Sequence, residues 1–233
     1  MKRTILAAAL ILVAAATALP RTAAAATKTE DADNLVVESG KTIENFTADP
    51  NLTWFREHIK DAKGLLICSK VVKAGFVFGG SGGRCVFVAR DEHGWWNGPA
   101  FYTTGTASVG FQAGVDVAEI VSLAMTQKAV DSLMSSEFKL GGNISATAGP
   151  VGAGAGANPS SDFLVYSRSK GLFGGVDVSG AVIKPSADYN KAYYGKPVTP
   201  IDIIVKGSAH KEQADATLLW KVEKMYEQLS GKQ

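Results

Sequence analysis

With only two cysteines and three histidines in 233 residues, the chain has little with which to build a metal centre or a nucleophilic site. His58, His93 and His210 are far apart, and none adjoins a zinc-ligand spacing or an activated-serine motif. No metal site, catalytic residue or cofactor is therefore expected. His93 follows Asp91 and Glu92, but a solvated turn accounts for that trio better than a metal does. A hydrolase assembled from distant residues is the second alternative, since local sequence does not reveal such a site. Gly79-Gly80-Ser81-Gly82-Gly83-Arg84 lacks both the Lys-Ser/Thr ending of a phosphate loop and a following helix, so a nucleotide is not expected either.

Charge of one sign is also missing. The chain has 24 basic and 22 acidic residues, and Lys2, Arg3 and Arg21 all lie in the first 26. Without that segment the balance is 21 to 22, which gives no support to nucleic-acid binding. An anionic partner must then meet a local basic patch. Beyond the N-terminus no apolar run nears the roughly 20 residues that a spanning helix needs.

What is present begins with an export pattern. Met1-Lys2-Arg3 is a basic start, an apolar stretch rich in Ala and Leu runs to about residue 19, and Ala24-Ala25-Ala26 offers a small-residue cleavage site. Residues 1–26 are expected to be a signal peptide, and no cysteine at the cleavage site would accept a lipid. The expected location is periplasmic or secreted. Cys68 and Cys85, in two apolar runs that read as strands, either form a disulfide or remain two buried thiols.

Asp49-Pro50 signals a helix start, and Leu52, Phe55 and Ile59 recur at helical spacing, predicting a helix over 50–62. A helix over 33–46 is interrupted on paper by Gly40. Between residues 64 and 183 short β-rich runs alternate with glycine clusters, which predicts strands at 65–68, 72–79, 84–90, 95–103, 108–115, 119–125, 141–148, 163–169 and 174–183. In this scheme the glycine cluster 79–83 is a turn and Asp91-Glu92-His93-Gly94 a tight hairpin. Thr126 reads as the N-cap of a short helix that buries Ala129, Val130 and Leu133. Thr199-Pro200 suggests another helix start, and Leu218, Leu219, Val222, Met225, Tyr226 and Leu229 form the apolar stripe of a terminal helix over 214–229. The expected class is α+β, an antiparallel curved or barrel-like sheet with flanking N-terminal and C-terminal helices.

Several motifs fall in one order along the chain: the run 62–80 (AKGLLICSKVVKAGFVFGG), Arg90-Asp91, 95–101, 108–114, Phe138-Lys139-Leu140-Gly141, Ala148-Gly149-Pro150-Val151-Gly152, 166–173 (YSRSKGLF) and Ala192-Tyr193-Tyr194-Gly195. In these residues the chain resembles the SYLF family. The resemblance implies a domain over 62–205, preceded by a helical segment over 27–61 and followed by an amphipathic helix over 206–233. It further implies a non-catalytic module that binds phospholipid or phosphoinositide-like head groups at a peripheral membrane surface. Fungal relatives imply an actin-associated role, and bacterial ones export.

Lysines next to glycine-rich or aromatic positions suit a phosphate at a membrane surface. The candidates for lipid contact are Lys63, Lys70, Lys73, Arg84, Lys170, Trp96 and Phe173. Trp95 and Trp96 must point to opposite sides of a strand, so one is exposed and the other is core. The leading reading is recognition of anionic phospholipids. The alternative is a structural or protein-interaction module of the cell envelope whose partner the sequence does not name.

Overall fold

A computed structural model describes residues 20–75, 78–109, 114–142, 144–152, 161–169, 172–174, 180–209, 211 and 214–231. The expected export segment lies outside the described residues up to position 19, and helix α1 (Pro20–Ala48) begins at its end. Ala32, Leu35, Val36, Ser39, Ile43 and Phe46 of α1 are buried, which makes a stripe at three- and four-residue spacing. Gly40 does not interrupt this helix. A Cβ there would stand 3.1 Å from the Lys221 side chain, so its bareness lets the C-terminal helix α5 (Ala214–Ser230) cross close by, and Lys221 pairs with Glu44 at 2.7 Å.

The helix expected over 50–62 forms in three short pieces. A 3-10 turn (Pro50–Leu52) leads into α2 (Thr53–His58) and a second 3-10 turn (Ile59–Asp61), with Asp49 accepting from the Asn51 amide at 2.8 Å. Leu52, Phe55 and Ile59, the three positions read from spacing, are all fully buried.

The strands are β1 (Gly64–Gly75), β2 (Phe78–Arg90), β3 (Trp96–Val109), β4 (Gly114–Ala124), β5 (Phe138–Lys139), β6 (Ala146–Ala148), β7 (Phe163–Ser169), β8 (Leu172–Gly174) and β9 (Val182–Pro185). They make one sheet in the order β5-β9-β3-β2-β1-β4-β7-β6, with β8 added to β7. Every pairing is antiparallel except that of β6 with β7. The edge strands β5 and β6 are neighbours in sequence, separated by residues 140–145, so the sheet has to curl to bring its edges within reach of that short link.

Two apolar clusters occupy its faces. Leu66, Cys68, Cys85, Phe87, Tyr102 and Val165 join Leu140 and Ile144 of the edge link inside the curl, where α3 (Gln127–Leu133) adds Ala129, Val130 and Leu133. Thr126 caps α3 by accepting from the Ala129 amide at 3.1 Å, and the buried Tyr102 hydroxyl donates to the Leu133 carbonyl at 2.7 Å. On the outer face Leu65, Ile67, Val86, Val88, Phe101 and Tyr166 are covered by α1, α2, α5 and α4 (Ala187–Tyr194). The stripe read on the last helix is a working one: Leu218, Val222, Met225 and Tyr226 are buried.

Several strand boundaries differ from the sequence reading: the strand expected over 141–148 shrinks to β6, with Gly141 and Gly142 in a turn, and of that over 174–183 only the ends join β8 and β9, residues 175–179 lying outside the described residues. The glycine cluster 79–83 is not a turn; it is the middle of β2, paired on one side with β1 through Val71–Gly83 and on the other with β3 through Gly83–Thr104. The strand expected over 72–79 therefore belongs partly to β1 and partly to β2. That over 108–115 is likewise divided between β3 and β4. Small residues satisfied the ladder as well as branched ones would, because two long neighbours supply the hydrogen bonds that glycine's weak strand preference does not. Thr199-Pro200 leads into a π-helical turn (Ile201–Val205) that buries Ile203 and Ile204 against the inner cluster.

Cys68 and Cys85 form a disulfide across β1 and β2, with both residues buried in the inner cluster. It sits where the β1 register shifts, between Ile67 and Lys70 against β2 and between Cys68 and Val71 against β4. Replacing both cysteines by serine is expected to lower unfolding stability by about 3 kcal/mol, the loop-closure value for a 17-residue separation. Urea unfolding of the oxidised protein against the double variant measures this, and free-thiol titration of the unfolded, unreduced chain should find no reactive sulfur.

Asp162 is a second fastening. It accepts from the Ser145 amide and hydroxyl at 2.9 Å, the Thr126 hydroxyl at 2.8 Å and Lys128 at 3.3 Å, tying the start of α3 to the β6 edge. Burial opposes its charge, yet these four bonds outweigh it and hold the carboxyl at about 2. Because the folded value lies below the unfolded one, this stabilisation is complete above about pH 4 and drains away as pH falls towards 2. Asp162→Ala should cost about 2 kcal/mol at pH 7 and far less at pH 2.5, as read from urea midpoints.

Candidate functional site

At the bulge in β1 the sheet changes character. From Leu65 to Cys68 every residue is buried, because both faces are covered; beyond it Lys70, Val72 and Ala74 are exposed. The bulge also exchanges the odd and even positions between faces. Leu65 and Ile67 belong to the outer cluster and Val71 to the inner one, so Lys70 and Val72 come out on the side of α1.

Lys70 stands directly opposite Arg84 on β2. Like charges opposed across a ladder repel, so this pair carries a cost that an anion between the two would remove. Both line a cleft of about 690 Å³ between the sheet and α1, within the range of small-molecule sites. The helix wall is a single stripe of α1, with Asp31, Asn34 and Glu38 at three- and four-residue intervals.

Tyr189 closes one side of the cleft. It is held there by α4, whose fully buried Asn190 accepts from the Phe101 amide at 2.9 Å, while Tyr193 packs on Phe101 at 4.9 Å between ring centroids. The Arg84 guanidinium lies 4.6 Å over the Tyr189 ring, and the Tyr189 hydroxyl donates to Asp31 at 3.3 Å. Burial raises the pKa of that hydroxyl, so it remains a donor at neutral pH.

The cleft floor is bare backbone. Gly82 lines it opposite Val72, and at Gly83 a Cβ would stand 2.6 Å from the Lys70 carbonyl oxygen. Past the cleft, towards the far end of the sheet, the same face carries Val117 opposite Val72 and Val115 opposite Ala74, with Val115 70% exposed.

Of the residues singled out from sequence, Lys70 and Arg84 come together here and the others do not. Lys63 is exposed just before β1, about 20 Å up the strand from Lys70 at 3.3 Å per residue. Lys73 lies on the opposite face, against Ser81 and Asp116 in the ladders. Trp96 is a correction: it is 7% exposed, packed in the outer cluster against Tyr226, whereas Trp95 is 70% exposed. The hairpin decides this, since Asp91 accepts from the His93 and Trp95 amides at 2.9 Å and so sets the alternation that turns Trp96 inward. Phe173 pairs with Arg168 in the β7–β8 ladder, and Lys170 lies outside the described residues. Arg90 stacks 4.1 Å over Tyr226, and Arg168 is paired with Glu119, so both serve the fold.

Asp31, Glu38 and Tyr189 escaped sequence reading. The helix expected over 33–46 starts too late to include Asp31, and the only local sign of α4 is Gly195, which at φ 70° marks its C-terminus. Among the described residues no group of three or more potential metal ligands occurs, and no helix is long and apolar enough to cross a membrane.

The sequence model of the Ysc84 family, described as "Las17-binding protein actin regulator", matches residues 105–226, from β3 to α5. The chain belongs to this family, also called SYLF. Among SYLF relatives, "LAS seventeen-binding protein 3" of Saccharomyces cerevisiae is 40% identical over 150 residues, covering 60% of this chain and 32% of the relative. "Protein YSC84" of the same yeast is 41% identical over 150 residues, covering 60% and 31%. The human "SH3 domain-containing YSC84-like protein 1" is 31% identical over 162 residues, covering 67% and 47%. The chain thus spans only 31% to 47% of the length of these SYLF relatives, and the family's description is one of binding and regulation.

Gly83→Ala tests the packing that sets the Lys70–Arg84 pair. It should destabilise the fold by about 1–3 kcal/mol, because a methyl group against the Lys70 carbonyl must push β1 and β2 apart. A urea midpoint equal to that of the parent protein would contradict the close approach.

Proposed function

We propose that the chain is an exported, non-enzymatic SYLF domain that binds anionic phospholipid head groups at a membrane surface. One observation carries this reading: Lys70 and Arg84, two like charges opposed across a ladder, line an open cleft that continues into exposed Val72, Val117 and Val115. A phosphate between the two cations relieves their repulsion, and the valines meet the apolar side of the interface. Export is supported by the buried Cys68–Cys85 disulfide, which persists in an oxidising compartment, as well as by the pattern of residues 1–26.

A second reading, a protein-interaction module of the cell envelope, is favoured by the family description and by the names of the yeast relatives. Sedimentation with vesicles separates the two. Phosphatidylglycerol-containing vesicles should bind the protein more tightly than neutral ones, with an advantage that shrinks as salt rises. Lys70→Ala combined with Arg84→Ala should weaken this binding by about 1 kcal/mol per charge. Absence of vesicle binding by the parent protein would leave the protein-interaction reading.

A further inference from the structure

The cleft carries charge of both signs, and the charges do not meet. Lys70 and Arg84 belong to the sheet wall, and Asp31 and Glu38 to the helix wall. Among the described residues no ion pair within 4.0 Å joins any of these four to another, and neither Lys70 nor Glu38 is in an ion pair at all. Facing charges at an exposed site gain little by closing into a salt bridge, so the two walls can stay apart. Tyr189 stands between two of them, with Arg84 on its ring face and Asp31 at its hydroxyl, and so holds an acid and a base apart. The result is a cationic wall and an anionic wall with room between them.

Such a cleft matches a dipolar ligand better than a simple anion. We propose that it takes a phosphorylated primary amine, the chemistry of a phosphoethanolamine or phosphoserine head group. This rests on the head-group reading above and names the class of head group. The phosphate lies between Lys70 and Arg84, where a guanidinium offers two parallel donors. The ammonium donates to Glu38 and to the oxygen of Asp31 that Tyr189 leaves free, and the Asn34 amide lies on the same helix stripe. Choline is disfavoured on two counts. A trimethylammonium has no N–H to donate to the carboxylates, and the aromatic face it would otherwise seek is already under Arg84.

The test compares vesicles of phosphatidylethanolamine with phosphatidylglycerol against vesicles of phosphatidylcholine with the same phosphatidylglycerol content. Calorimetric titrations with soluble O-phosphoethanolamine and phosphocholine run beside them. The full chain should prefer the ethanolamine vesicles by about threefold, the size of one partly exposed ion pair. Glu38→Gln should abolish that preference and leave binding to the choline vesicles intact, a pattern that general effects of ethanolamine lipid on bilayer packing would not give. Lys70→Ala with Arg84→Ala should weaken binding to both. Binding of soluble phosphoethanolamine but not phosphocholine, without vesicle binding, would uphold the inference and reject the membrane reading. Equal binding to both vesicle types, or a preference untouched by Glu38→Gln, would overturn the inference and leave the anionic-membrane reading standing. Binding of neither vesicles nor soluble ligand would reject both.

Discussion

The requirement that four central strands bury both faces over half their length, and only one over the rest, shapes this molecule. Around Leu65–Cys68 and Val86–Ala89 successive side chains enter the inner and outer clusters alternately, and none reaches water. A sheet loaded on both sides needs cover on both sides. The outer cover comes from α1, α2, α4 and α5; the inner cover comes from the curl of the sheet itself, with α3 and the π-helical turn beneath it. Where that cover ends, the strands continue as exposed ladders rich in glycine and short polar residues.

The bulge at Cys68 lies at this frontier, and the disulfide pins it to β2. Its effect on function is geometric. An extra residue in one strand exchanges the faces of all that follow, which brings Lys70 rather than Val71 to the side of α1. Without that shift the register of Leu65–Ile67 would continue and set Ser69 opposite Arg84. The cleft, its opposed cations and the fastening of the buried core therefore share one local irregularity.

The helices turn a sheet surface into a cleft. α1 contributes a wall because its apolar stripe rests on the sheet while its neighbouring polar stripe, Asp31, Asn34 and Glu38, overhangs the exposed ladders. α4 contributes Tyr189 because Asn190 and Tyr193 lock it onto Phe101 of β3. Family membership is consistent with this economy: the match runs from β3 to α5 and so includes both α4 and the helix that buttresses α1.

Sequence alone determined whatever depends on local pattern. The α+β class, the hairpin at Asp91, the cap at Thr126, the three buried positions of the 50–62 helix and the stripe of α5 all follow from spacing and side-chain chemistry within a few residues, as does the SYLF resemblance. Tertiary structure decided the rest. It made a strand of the glycine cluster, because flanking strands supply hydrogen bonds that glycine's own preference would not predict; it carried α1 through Gly40, because α5 fills the space beside it. It also chose which candidates share a surface. Lys70 and Lys73 are three residues apart and lie on opposite faces, while Lys70 and Glu38, over thirty apart, line one cleft. Side-chain direction in a strand is a matter of register, and register past a bulge is fixed by the neighbouring strands, which no local stretch of sequence contains.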